Sequence, residues 1–129
     1  MYQIEVTEKQ AQIISEATEL YARIQAGQLG EVALYIPRSR LDHIQVVRDA
    51  LREAELHFTG MAPGAYFGIT NSDIRDAARI AWDLSQVVRH RLAWDRNPEG
   101  DYMSVHFDEP RNLSTTQALA EIRRVEANG

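Results

Sequence analysis

Between Ile74 and Leu92, five side chains with recognition chemistry recur at helical spacing: Arg75, Arg79, Trp82, Gln86 and Arg89. At about 100° per residue they fall along one strip of a helix, which Ala93 continues. Guanidinium forks grip phosphate bidentately, an indole stacks on a base, and an amide reads a base edge. The strip therefore suits a planar, anionic ligand. With Asp76 and Asp83 nearby, the same pattern is also what a solvated helix face or a subunit seam presents. Upstream, the stretch 58–72, FTGMAPGAYFGITNS, holds Gly60, Pro63, Gly64 and Gly68 among few charges. A loop of this length in a compact domain is more often functional than decorative. Tyr66 and Phe67 sit inside it, either plugging the core from outside or gripping a ligand as part of a lid.

Groups suited to catalysis are sparse. His90, within Arg89-His90-Arg91, stands where cations complement a helix C-terminus. As a general acid or base it would need a partner, for which Asp95 and Asp101 are the candidates. His43, His57 and His106 show no metal-ligand spacing. Asp95-Arg96-Asn97-Pro98-Glu99-Gly100 copies the first half of a calcium loop, but the twelfth position is His106, where a bidentate glutamate is required. No metal and no cofactor are expected.

Helices must position these groups. Thr7 and Gln10 have capping-box spacing, and Ile13, Ile14, Ala17, Leu20, Tyr21 and Ile24 follow as one apolar face of a first helix over about 8–26, stopped by Gly27. Leu29–Ile36 fits a short helix or a strand and is read as a short helix ended by Pro37. Leu41, Ile44, Val47, Leu51 and Ala54 form the stripe of an amphipathic second helix over about 39–57. A third helix starts at Asn71 or Ser72, with a core face of Ile74, Ala78, Ala81, Ser85, Val88 and Leu92, and Trp94 closing the core at its end. Tyr2, Ile4 and Val6 alternate with polar residues, and so do Met103, Val105 and Phe107; each pattern predicts a short strand. Ser114 and Gln117 have capping-box spacing at the head of a last helix over 114–127. The expected fold is α+β and mainly helical: three main helices packed on a small antiparallel sheet from strands 2–6 and 102–107, in a single domain over 1–129.

Composition bounds the function. A net charge of −5, from 19 acidic against 14 basic residues, argues against a binder of bulk nucleic acid working through charge. The absence of cysteine excludes disulfides, zinc–thiolate sites and cysteine nucleophiles. Apolar runs fall well short of the roughly 18 residues a membrane span needs, and the N-terminus does not read as a signal peptide, so a cytosolic protein without membrane contact is expected.

The segment QVVRHRLAWDRNPEG, followed by Phe107-Asp108-Glu109-Pro110, resembles a widespread family of small proteins encoded by tailed bacteriophages, mostly recorded as hypothetical. ISEATELYARIQAGQLGEV resembles that family's first helix, so the likeness covers about Ile13 to Pro110. The resemblance implies a protein of host takeover or defence evasion in the host cell cytoplasm. By analogy of kind, phage anti-defence sponges that sequester cyclic-nucleotide or cyclic ADP-ribose-type signals are similar in size and in forming small homo-oligomers. They hold phosphates with arginines and bases with aromatics. The expected function is therefore sequestration of a small anionic nucleotide ligand without catalysis, through Arg75, Arg79, Trp82, Gln86, Arg89, Tyr66 and Phe67. The alternatives are an inhibitor that covers a host enzyme and a small phosphodiesterase built on His90.

Overall fold

The computed structural model describes residues 1–101 and 103–126. Three α-helices carry the fold: α1 (Glu8–Gln25), α2 (Ile44–Thr59) and α3 (Asp76–Arg96). Short 3₁₀ helices at Leu29–Tyr35 and Arg38–His43 lead from α1 into α2, and a third lies at Val105–Phe107. The capping box forms as its spacing predicts: Gln10 N–H donates to Thr7 Oγ1, and Thr7 N–H donates to Gln10 Oε1. Gly27, at φ 91°, ends α1 in the left-handed region, and a Cβ there would run into the Thr59 side chain at the end of α2. Only glycine satisfies both the turn and the close approach.

α1 and α3 run antiparallel. Glu8 pairs with Arg96 at 2.6 Å at one end, and Ser15 Oγ donates to the Ser85 carbonyl at 2.9 Å midway. Ala26 packs with Ile74 and Ala78 at the other end. The whole predicted core face of the third helix, Ile74, Ala78, Ala81, Ser85, Val88 and Leu92, is buried. The seam is made of small side chains, which lets the two helices approach closely. The predicted face of α1 divides instead. Ile14 packs inward against Ala11, Val88 and Leu92, whereas Ile13, Ala17 and Tyr21 are exposed.

The sheet expected from the sequence does not exist: among the described residues there is no strand, and the fold is all helical. Residues 2–6 have no regular structure, with Tyr2 and Ile4 exposed. Val105–Phe107 turns as a 3₁₀ helix because Phe107 seats edge-on against Trp94, ring centroids 5.1 Å apart, which pulls the chain back onto α3. Tyr102 of that expected strand lies outside the described residues. A period of two over three residue pairs is too short to specify pairing, and neither segment finds a partner edge.

The last helix is also absent through residue 126; its end at residue 127 is outside the described residues. The cap survives, since Gln117 N–H donates to Ser114 Oγ at 3.0 Å, but the chain beyond it runs irregularly. Two carboxylates of α3 hold the backbone donors around the cap. Asp83 accepts the Leu113 and Ser114 N–H groups at 2.9 Å, and Asp76 accepts the Thr115 N–H at 2.9 Å. Asn112 closes the loop when its amide is oriented to suit its neighbours, its nitrogen then 3.2–3.3 Å from acceptors on Asp83, Ser114 and Gln117 and its oxygen accepting from Leu119 N–H. Ile122 then packs onto the Ala11–Val88–Leu92 cluster. The segment 112–122 is a strap held by charge-assisted hydrogen bonds.

Helix three begins at Asp76 rather than at Asn71 or Ser72. Asn71 caps a local turn, its Oδ1 accepting the Asp73 N–H, and Arg79 holds the preceding chain by donating to the Ile69 and Asn71 carbonyls at 3.0 and 2.7 Å.

Candidate functional site

Side chains with recognition chemistry converge where the start of the first 3₁₀ helix, α2 and the glycine-rich loop meet. A cleft of about 290 Å³ there is lined by Arg48, Arg52 and Glu55 of α2, Glu31 and Leu34 of the 3₁₀ helix, and Tyr66 of the loop. Gly27, Gly30 and Gly64 keep the backbone close to its walls. Glu55 is the one buried residue of α2, 6% exposed, and its Oε1 accepts the Gly30 N–H at 2.9 Å. That bond anchors the carboxylate at the foot of the cleft, with the two guanidiniums one and two turns away along the same helix. Tyr66 is half exposed and offers a ring plane. Two arginines and two glutamates leave the lining formally neutral. Such a lining fits a ligand that carries phosphate together with amine or amide donors better than it fits a bare anion.

Of the ligand-binding residues expected from the sequence, Tyr66 alone lines this cleft. Phe67 turns the other way, packing on Ala26, Ile74 and Ala78 while its N–H donates to the Ala26 carbonyl at 2.9 Å. The helix strip keeps one face of α3 from Arg79 onward, with Arg75 exposed at the N-cap. Its polar groups are largely engaged within the chain. Arg79 holds the loop carbonyls and lies 3.8 Å from Asp76. Arg23 stacks over Trp82 at 5.4 Å, and Gln86 donates to Ser85 Oγ at 3.0 Å. Arg89 Nε is buried without a hydrogen-bond partner among the described residues.

Arg48, Arg52 and Glu55 were not singled out in the sequence, though the signal was present: spacings of four and three place them on one helical face. They read there as part of the charged outer face of an amphipathic helix. Asp76 and Asp83 read as solvated neighbours of the strip and are instead the strap's anchors. The Thr116 hydroxyl and then the Thr115 amide, with lesser help from the Ser114 and Thr115 hydroxyls, hold the Asp76 carboxyl well below the usual carboxylate range against a desolvation that raises it.

The other candidates are drawn apart. His90 Nδ1 lies 3.3 Å from the His106 carbonyl and Nε2 3.9 Å from Glu109, while Asp95 pairs with Arg91 at 2.8 Å. Among the described residues no three acidic or imidazole groups gather as metal ligands, and no helix is long and apolar enough to cross a membrane. Trp94 does not close the core but is exposed, at 37%: it packs under Gly100 and against Phe107, a satellite at the end of α3 and not part of the seam.

No protein-family model, curated protein or solved structure matches the chain.

Proposed function

We propose that the protein is a small binding protein that sequesters a nucleotide-type ligand in the α2 cleft by mass action, without chemistry. The observation that carries this reading is the convergence of Arg48, Arg52, Glu55 and Tyr66 on one cleft of about 290 Å³. Arg48 and Arg52 pair with phosphate oxygens, the Tyr66 ring stacks on the base, and Glu55 accepts from the base's amino or imino donors. From the resemblance to small tailed-phage proteins we infer that the ligand is a cyclic-nucleotide or cyclic ADP-ribose-type immune signal, sequestered by a homo-oligomer in the host cell cytoplasm.

Calorimetry with a panel of cyclic di- and trinucleotides and cyclic ADP-ribose isomers tests the reading, with circular dichroism as the folding control. Each charge-assisted hydrogen bond to phosphate is worth about 1.5–3 kcal/mol, so Arg48→Glu or Arg52→Glu should weaken binding about tenfold to hundredfold. Tyr66→Ala should weaken it by about 1–3 kcal/mol of stacking. Arg75→Glu, on the exposed helix N-cap, should leave it unchanged. A panel in which nothing binds the native protein below about millimolar removes the reading. Binding that survives both α2 variants but falls in Arg89→Glu moves the site to the helix strip. Recovery of intact ligand after denaturation separates sequestration from hydrolysis.

A further inference from the structure

A chain of 14.7 kDa folded as a compact monomer exposes about 6,900 Å² by the usual scaling of surface with mass. This chain exposes 9688 Å², roughly 2,800 Å² more. The extended residues 1–7 account for part of the excess, but the interior tells the same story. The largest side chain buried to less than 2% exposure is Ser85, and the seam between α1 and α3 is built largely of alanine. Part of that seam remains uncovered. The strap's Ile122 fills the stretch around Ala11, Ile14, Leu84, Val88 and Leu92. Beyond Leu84, towards the start of α3, the groove is open, with a volume of about 460 Å³ between Ala17 and Tyr21 of α1 and Ala77, Ile80 and Ala81 of α3.

We propose that this open groove is covered by a second copy of the same chain, the two α1–α3 hairpins closing face to face as a two-fold dimer. Three observations favour this occupant. No residue lining the groove is charged, so two copies can meet there without juxtaposing like charges, although each carries a net charge of −5. Alanines at 17, 77 and 81 between Tyr21 and Ile80 make alternating hollows and knobs, the relief that lets one helix pair seat on another at bundle spacing. A two-fold interface needs one patch complementary to itself, and this groove offers both the knob and the hole. Obligate homodimers bury about 2,000–5,000 Å² in total, about 1,000–2,500 Å² from each copy, so the excess of one chain is large enough to supply a partner's share. The proposal identifies the face of assembly and stands independently of any ligand in the α2 cleft, whose lining residues are different.

Sedimentation equilibrium of the full chain should give roughly twice the 14.7 kDa of one copy. Ala17→Arg or Ile80→Arg places two like charges in a dry interface, and Ala17, exposed in one copy, makes the change with little loss of packing in the monomer. Either should weaken dimerisation by about a hundredfold or more. Val46→Arg, at an exposed apolar residue on α2, should leave the mass unchanged. The chain has no native cysteine, so Ala77→Cys and Ala50→Cys give single thiols, both at positions exposed in one copy. A maleimide should react with the first roughly tenfold or more slowly than with the second, with the difference vanishing on dilution to monomer. The small cysteine side chain keeps this readout valid if an arginine variant misfolds. A monomeric native chain overturns the proposal. So does a dimer that Ile80→Arg leaves intact, or one in which the two thiols react alike.

Discussion

α2 carries a cleaner apolar stripe than α3, with Ile44, Val47, Leu51 and Ala54 in register, yet its one buried residue is the charged Glu55. α3 breaks its stripe with Ser85 and a run of alanines, and seven of its residues are buried. The two helices differ in what faces them. α3 lies along α1 for the length of both, and its small side chains bring the two backbones close enough to exclude water. Among the described helical elements, α2 meets the two 3₁₀ segments, which are too short to roof a helix of 16 residues. A regular stripe states that a face requires cover, and the size of the residues beside it decides how closely cover can come. The same contrast sets the functional surfaces. The closed helix spends its polar side chains on the loop and strap, while the open one keeps Arg48 and Arg52 facing a cleft.

The contrast is sharpest in truncation. Leu92→Ala removes a buried leucine from the seam and should cost about 2–5 kcal/mol in urea unfolding. Val46→Ala on α2 should stay within about 0.5 kcal/mol, because its side chain is already exposed. Equal losses would mean that α2 is covered in solution as fully as α3. A smaller effect is expected where the two regions meet. Gly27→Ala forces a left-handed residue against Thr59 and should cost about 1–3 kcal/mol, with a lowered thermal midpoint as the measure. An unchanged midpoint would show that α2 can move away from the end of α1 freely.

The subtlest effect concerns the strap on α3. Asp76 has a folded-state pKa depressed below its ordinary value of 3.8, so its contribution to stability is fully present above about pH 4. It is lost progressively as pH falls below that value towards the folded one. Limited proteolysis within 112–122 should therefore quicken below about pH 4 in the native chain. Asp76→Asn, which lacks this titration, should show a faster but flatter profile over the same range. Identical profiles would assign the holding of the strap to Asp83 alone.

What the sequence determined by itself is local. The Thr7–Gln10 box, the Gly27 stop and the 3₁₀ turn before Pro37 follow from near neighbours in the chain, and the stripe from Ile74 to Leu92 follows from helical spacing, whereas its burial was decided by α1. Tertiary structure decided everything that depends on a partner distant in sequence. The alternation at 2–6 and 103–107 satisfies a strand pattern, but a strand is stable only with a neighbouring edge, and Trp94 offers Phe107 a ring in its place. The Ser114 cap forms without its helix: Asp76 and Asp83, about 30 residues or more away, hold the amides of Leu113, Ser114 and Thr115, and Ile122 packs on the Ala11–Val88–Leu92 cluster, so the chain beyond the cap follows α3. Tyr66 and Phe67 are chain neighbours, yet one lines the α2 cleft and the other fills the seam. Which neighbour does which was set by the Phe67 amide reaching the carbonyl of Ala26, a bond that closes only after α1 and the loop have met.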